Sequence, residues 1–571
     1  MTTLFYIGSS RFPKQQCQGY DCLKQYVDKQ DDNYAWSDTG IIMHGLDPLH
    51  LVKWTGYVLN FTSQQWLTSD DSSQSIWWHI LVIVIPKEVK YPNNPFLWIT
   101  GGDNDDDPIP KVASQDMIVV GDFAVQTKTI GAALFQVPNS PIIFHTDPVH
   151  ESRSADAAIA FTWWHFLNDP SSSHEWLLNL PMTKASVRAM DTIAAFMTSD
   201  SSPKEIKDLN SDPSQFLVAG ASKRAWVTWN TAAVDPRVMG IVPVVMNNLN
   251  AAENLHHHYR AYGGWSFAFQ DYWKMNITLQ LDDPKFQTMM DIVDMYEYRD
   301  KILMPKLVCD ATMDEFFLLD DTWYWWNNMP HAHELNRYVL VPNAEHSQAT
   351  GILELLPAVT TWARELLRAD LEYKNKRFNK NGREYLPNSI EERNSRSLDM
   401  MQSFSNIPRF NWTIEEKSGD IIVKSHIAPT SVRIWHATTC NRHRRDFRIV
   451  NLDDPCTCGI KLPEIAGFEG LCSNVFAFWT AEELEETEPG SLTWVAHKDS
   501  PLLGRWLAFF VDFQFDGPKP DSPYTPRNTS AFDTWPIGRD GIYDFTTTVS
   551  IIPNTFPYSD CYSKECYGHL V

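Results

Sequence analysis

Residues Gln215 to Trp229 read QFLVAGASKRAWVTW. A strand-sized apolar run ends at Gly220, Ser222 follows two residues later, and a segment with helical spacing begins there. A serine on such a turn presents its hydroxyl at the carboxyl edge of a sheet, and the usual pattern is G-x-S-x-G. Gly220, Ala221, Ser222 and Lys223 fit it, whereas Arg224 replaces the second glycine. Taken alone, the segment reads first as a small residue in a tight bend.

The flanking sequence supplies a sheet for that turn. Upstream, TGYVLNFTSQ, SIWWHILVIVIP, NPFLWITGG, AALFQVP and PIIFHT read as strands. The second is almost continuously apolar, as a strand buried on both faces must be. ADAAIAFTWWHFLND and TKASVRAMDTIAAFMTS carry apolar residues at three- and four-residue spacing and read as helices. Downstream, GIVPVVM, PKLVCDA and RYVLVPNA are strands, and ILELLPAVTTWARELLRADLEY is a closing helix. Strands alternating with helices predict an α/β unit, a mostly parallel sheet flanked by helices. Near residue 380 the pattern changes. The polar run KNKRFNKNGREYLPNSIEERNSR reads as a linker. Beyond it, IIVKSHI, SVRIWHAT, RDFRIV, SLTWVAH, WLAFFVDFQF and YDFTTTVSII are short strands with scarcely any helical pattern. The expected organisation is a catalytic unit over residues 1–380, a linker over 381–400 and an all-β, sandwich-like domain over 401–571.

With that sheet in view, Ser222 acquires partners. A serine hydroxyl is a weak nucleophile, so a neutral imidazole must take its proton and a carboxylate must orient that imidazole. On an α/β sheet the chain order is Ser, then Asp or Glu, then His, each beyond the carboxyl end of a strand. PKLVCDATMDEFF places Asp314 after one strand, and RYVLVPNAEHSQ places His346 after the next. Asp310 and Glu315 are rival acids. A solvated turn carboxylate and a capping or core histidine are the bland readings of the same residues, yet three groups in the right order outweigh each alone. The attacked carbonyl also needs hydrogen-bond donors for its developing negative charge. The backbone N–H of Lys223 is one candidate. LWITGGDN offers Gly101 and, as the second donor, Gly102, because glycine permits close backbone approach. Lys223 or Arg224 could bind a substrate carboxylate or support the oxyanion. Asp103, in the acidic run 103–107, and Glu315 would attract a cationic group such as a peptide amine. That run reads first as a solvated loop and only second as a calcium site. His256, His257 and His258 are adjacent, so their side chains diverge on a helix and cannot all face one ion. No cofactor or metal is implied.

Bulk properties narrow the partners. The 571 residues carry 48 Lys and Arg against 71 Asp and Glu, a formal charge of −23, which argues against nucleic acid or anionic membrane as the primary partner. The 23 tryptophans, several in pairs such as Trp77-Trp78, Trp163-Trp164 and Trp325-Trp326, fill a core or wall a pocket. No run reaches the roughly 18 apolar residues that span a bilayer. MTTLFYIGSSRFPKQQ shows no signal peptide, so a secreted chain would have its leader missing here. Of nine cysteines only Cys309 lies in a core strand. The other eight, Cys17, Cys22, Cys440, Cys456, Cys458, Cys472, Cys561 and Cys566, sit in polar segments and point to disulfides in an oxidising compartment, with pairing left open. N-x-S/T sequons begin at Asn60, Asn276, Asn411 and Asn528.

Several long segments resemble one family. GASKRAWVTWNTAAVDPRVMGIVP, LPMTKASVRAMDTI, DIVDMYEYRDKILMPKLVCDATMDEFF and VPNAEHS, with SVRIWHATTCNRHRRDFRIV, AFFVDFQF and the terminal CYGHLV, are similar to the PhoPQ-activated pathogenicity-related proteins. The resemblance spans nearly the whole chain. It implies an α/β-hydrolase-like domain followed by a β domain, and secretion. Roles attached to the family include bacterial virulence regulation and extracellular growth-inhibiting signals, with a suggested relation to prolyl dipeptidyl peptidases. The family usually has glycine where Ala225 and Met313 stand. Met313 in a turn that wants φ > 0 would be strained and would disturb the presentation of Asp314.

Three functions compete on these grounds. The first is a secreted serine hydrolase of dipeptidyl-peptidase type, with Ser222 as nucleophile, His346 as base then acid and Asp314 as orienting carboxylate. The second is a secreted signalling or binding protein on a hydrolase scaffold, its partner a cell-surface receptor and its site vestigial. The third is a carbohydrate or small-acyl esterase, because the G-x-S-[RK]-x-[GA] turn also resembles that of glucuronoyl esterases.

Overall fold

The computed structural model describes residues 17–104, 108–381, 406–453, 455–464, 468–519 and 538–571. The linker expected over 381–400 lies outside these residues apart from Asn381, as do Asp105 to Asp107 of the acidic run and the stretch 1–16.

The strands of the first unit are β1 (Ala35–Leu46), β2 (Lys53–Gln65), β3 (Ile76–Pro86), β4 (Tyr91–Ile99), β5 (Thr129–Leu134), β6 (Phe216–Ala221), β7 (Val238–Val244), β8 (Leu307–Ala311) and β9 (Arg337–Val341). They form one sheet in the order β1-β2-β3-β5-β4-β6-β7-β8-β9. From β5 to β9 the neighbours run parallel, while β1, β2 and β3 add antiparallel, β3 against β5. This is the α/β-hydrolase arrangement. Helices cover both faces: α1 (Tyr20–Asp28), α2 (Gln115–Thr127), α3 (Ala155–Asn168), α4 (Asn179–Thr198), α5 (Lys223–Val234), α6 (Ala251–Tyr262), α7 (Pro284–Val293) and α8 (Ile352–Asn381). α4 packs on α5 and α1, and α2 packs on α8. The side chains of β5 and β7 are therefore buried throughout, which is why they read as uninterrupted apolar runs.

Two local differences from the sequence reading have physical causes. β1 carries mostly exposed side chains and two glycines, so AWSDTGIIMHGL shows no strand-like apolar run, yet its backbone pairs along β2 as the sheet edge. PIIFHT yields only the two-residue ladder of Ile142–Ile143 with Ser152–Arg153.

The second unit is antiparallel. Its strands are β10 (Phe410–Ile414), β11 (Ile421–Ser425), β12 (Ser431–Thr438), β13 (Thr480–Glu483), β14 (Thr493–Ala496), β15 (Leu507–Asp516), β16 (Ile542–Thr546) and β17 (Ser550–Ile552). One sheet runs β10-β11-β14, a second β13-β12-β15-β16, with β17 also on β15, and a small third sheet pairs Leu471–Asn474 with Val450–Leu452 and Gly459–Lys461. Phe410 and Trp494 from the first sheet meet Phe513 of the second at ring distances of 5.2 and 5.5 Å, so the two close on a shared apolar layer. RDFRIV is not the expected strand: only Val450 joins a ladder. Arg448 instead makes a fully buried ion pair with Asp446, two residues back, and that local closure bends the segment out of extended pairing.

The eight loop cysteines pair as Cys17–Cys22, Cys440–Cys458, Cys456–Cys472 and Cys561–Cys566, and Cys309 is a buried free thiol. The β unit is joined to the sheet edge: Leu340 N donates to Thr546 Oγ1 at 3.0 Å, and the Arg337 guanidinium donates to the Pro408 carbonyl.

Candidate active site

Ser222 stands between β6 and α5 with φ 58° and ψ −128°. A non-glycine residue there costs about 1–3 kcal/mol, so the turn must be held by its surroundings. Ser222 N donates to Val244 O of β7, and its own carbonyl accepts from Ala225 N and Trp226 N. Gly220 allows the strand to enter: a Cβ there would lie 2.7 Å from the Arg224 carbonyl oxygen. Arg224, in place of the second glycine, causes no clash, because its side chain leaves the turn and donates from Nε to Val137 O at 2.6 Å.

The two downstream residues converge on this serine. His346 Nε2 lies 2.8 Å from Ser222 Oγ, and His346 Nδ1 lies 2.8 Å from Asp314 Oδ2. The other Asp314 oxygen accepts from the N–H groups of Phe316 (2.6 Å) and Phe317 (3.0 Å). Asp314 is thereby fixed in orientation and almost fully buried. The rings of Phe316 and Phe317 flank His346 at 4.4 and 5.7 Å and shield it from water. Met313 does not have positive φ. Its N–H donates to Ala344 O and its carbonyl accepts from Ile449 N, so the expected strain at that turn is absent and Asp314 is presented by ordinary backbone. Ala225 is buried without displacement of the turn.

The rival acids are elsewhere. Asp310 is buried on β8 beside Tyr338, and burial, with the charge of Asp314 adding to it, pushes its carboxyl up to about 7. Glu315 accepts from the backbone N–H of His346 at 3.0 Å and is not among the residues lining the cavity described below. Burial first, and then Asp314, raise Glu315 to about 7.

At the turn, Lys223 opens α5, so its N–H has no intrahelical acceptor and faces the region above Ser222. Gly101 and Gly102 follow β4, Gly102 at φ +110°. A Cβ on Gly101 would fall 2.3 Å from Arg224 Nη2, so the guanidinium lies directly on this loop and would have to shift for any larger residue. Asp103 is exposed, with Ser140 and Ser154 hydroxyls at 3.4 and 3.5 Å. The Lys223 side chain turns into the cavity and pairs with Asp156 at 2.8 Å, where Tyr272 Oη also donates. Asp156 and Tyr272 carry no local motif and could not be found from the sequence.

A cavity opens beside Ser222 and Lys223, lined by Trp163, Trp226, Leu255, Phe269, Leu281 and Phe316 among others. The paired tryptophans thus divide. Trp163 walls the cavity, while Trp77, Trp325 and Trp326 are core.

Other charged clusters are accounted for by pairing. His50 Nδ1 meets Asp47 at 2.6 Å and Asp122 at 3.4 Å, and Nε2 meets Asp540 at 2.5 Å. Hydrogen bonds to these carboxylates outweigh burial and push His50 up to about 11, so it is an imidazolium clamp between the two units. The three adjacent histidines diverge. His256 faces Asp560, His257 faces Asp320, and His258 accepts from Ser266 N.

The β unit also braces the histidine's turn. Asn343, between β9 and His346, exchanges two hydrogen bonds with the backbone of Trp479, at 2.7 and 3.0 Å.

Comparison with known proteins accords with this architecture. Residues 23–375 match the pattern of the PhoPQ-activated pathogenicity-related proteins. The chain is 31% identical over 555 residues to autocrine proliferation repressor protein A of Dictyostelium discoideum, covering 96% of this chain and 93% of that one. Among solved structures, similarity extends to acetyl xylan esterase 1 of Thermoanaerobacterium sp. JW/SL YS485 (13% identity, 61% of this chain, 95% of that chain, TM-score 0.38). It extends also to a glucuronoyl esterase of Solibacter usitatus (11% identity, 57% of this chain, 86% of that chain, TM-score 0.34).

Proposed function

This chain belongs to the PhoPQ-activated pathogenicity-related protein family, and from that premise we propose that it is a secreted serine hydrolase. The observation that carries the proposal is the hydrogen-bonded line Ser222–His346–Asp314 at a strand-to-helix turn. In this mechanism His346 Nε2 takes the Ser222 proton as Oγ attacks an acyl carbon. Asp314 holds Nδ1–H and offsets the positive charge the ring gains. The Lys223 and Gly102 N–H groups receive the oxyanion. His346 then protonates the leaving group, and water attacks the acyl-enzyme by the reverse proton path.

Peptide and ester substrates part at the cavity. A dipeptidyl peptidase needs a carboxylate for the free amine, and among the described lining residues the one carboxylate is Asp156, already paired with Lys223. Neither Glu315 nor Asp103 is among those lining residues, and Asp103 is exposed. The esterase alternative is therefore favoured over dipeptide hydrolysis. Secretion is supported by the four disulfides. Sequon residues Asn60, Asn276 and Asn411 are exposed, and Asn528 lies outside the described residues.

The test is fluorophosphonate labelling read by intact mass, followed by turnover of aryl esters and dipeptidyl anilides. One adduct, lost in Ser222→Ala, is expected. A folded chain that takes up no probe and cleaves neither class would remove the hydrolase. It would favour the second reading, an extracellular signal on an inactive scaffold that binds a cell-surface receptor, to which the proliferation-repressor relative lends weight.

A further inference from the structure

We infer that the cavity beside Ser222 is an acyl-binding site that takes an uncharged, apolar acyl group, as a mostly apolar enclosure with a few polar groups would. The inference rests on the serine-hydrolase reading and adds the substrate class. Its first ground is position. The cavity is bounded by Ser222 and Lys223 themselves, so whatever fills it is bonded to, or lies against, the carbon that Oγ attacks. Its second ground is the character of the walls. Indole, phenyl and leucine side chains from α3, α5, α6 and the segments after them form most of the enclosure, with Asn248 and Thr278 as polar exceptions and Trp163 and Trp226 meeting edge to face at 5.6 Å. Its third ground is electrostatic. Lys223 Nζ and Asp156 Oδ2 are 2.8 Å apart and mostly buried, Tyr272 completes the carboxylate, and the pair is neutral as a unit. A charged acyl tail would have to break that pair or enter unpaired, and burying an unpaired charge is far more costly than burying methylenes. A sugar would find only a few polar partners, such as Asn248 and Thr278, and would leave the rest of its hydroxyls facing rings and leucines.

The pair also has a mechanical use. Lys223 carries the backbone N–H proposed for the oxyanion, and its side chain is anchored to α3 by Asp156 and so held in one place on the cavity wall.

The experiment uses the full chain and p-nitrophenyl acetate, butyrate, hexanoate and octanoate. Each methylene buried in the cavity should raise kcat/KM about fourfold until the cavity is full. Hexanoate should therefore exceed acetate on the order of 100-fold, with the gain flattening by octanoate. Leu255→Trp, which fills the cavity, should cut the hexanoate-to-acetate ratio at least tenfold, and Leu281→Ala, which enlarges it, should move the optimum to longer esters. The two changes oppose one another, so a folding defect in either does not imitate the result. Equal kcat/KM across the series, with a fluorophosphonate adduct on Ser222 and acetate turnover intact, overturns the acyl site and leaves the hydrolase standing. No adduct and no turnover of any ester removes the hydrolase and this inference together.

Discussion

Asp314→Asn tests how the catalytic histidine is held. In the native arrangement Asp314 Oδ1 accepts two backbone N–H groups and Oδ2 accepts His346 Nδ1–H. Asparagine can keep its carbonyl oxygen on the two N–H groups only by turning its NH₂ toward Nδ1. The imidazole must then accept at Nδ1 and carry its proton on Nε2, where it cannot take the proton of Ser222. The opposite amide orientation restores the productive tautomer but points NH₂ at the N–H groups of Phe316 and Phe317. Two buried donors then lose their acceptor, at about 1–3 kcal/mol each. The productive form is therefore disfavoured by about 2–6 kcal/mol, which corresponds to a loss of about 30-fold to 10⁴-fold in kcat/KM. The assay is hydrolysis of an aryl ester together with the rate of fluorophosphonate labelling, with thermal melting as the check on folding. The loss should lie in kcat, because the cavity is untouched. A folded variant that loses less than tenfold would show that the carboxylate does not set the tautomer, and the proposed roles of Asp314 and His346 would fail.

Four further outcomes are expected. Asn343→Ala frees the turn that carries His346 from Trp479 and should lower kcat about 10- to 100-fold with KM little changed, since small misplacements of a catalytic group are costly. Glu315, raised to about 7 by burial and then by Asp314, ionises beside the catalytic turn as pH rises. The pH profile of kcat/KM should thus show an inflection near 7 that Glu315→Gln removes. Asp310, raised to about 7, binds its proton more tightly folded than unfolded, so its contribution to stability is present below about 4 and lost as pH rises through 7. Melting of Asp310→Asn across that range should fall less steeply than that of the native chain. His50, raised to about 11 by its carboxylates, contributes stability that is complete below about 6.5 and lost as pH climbs toward 11. His50→Gln should cost about 3–5 kcal/mol at pH 7 in denaturant titrations, and the difference should shrink by pH 10.

The parts of the protein legible in the sequence are those encoded by local patterns. Buried parallel strands such as β6 and β7 are unbroken apolar runs because both faces are covered. Ser222, Asp314 and His346 were accessible because a hydrolase sheet sets their chain order and puts each beyond a strand end. β1 was hidden because an edge strand with exposed side chains has no pattern to show. What only the tertiary structure decided are contacts between residues far apart in the chain. Among these are the 2.8 Å spacings of the three site residues, the pairing of Lys223 with Asp156 across α5 and α3, and the brace from Trp479 to Asn343. The same holds for the hydrogen bond that Glu315 accepts from the backbone N–H of His346. Period and spacing report which face of an element is buried. They carry no record of which distant side chain meets it there, because that depends on packing of the whole chain, and on that packing the chemistry of the cavity depends.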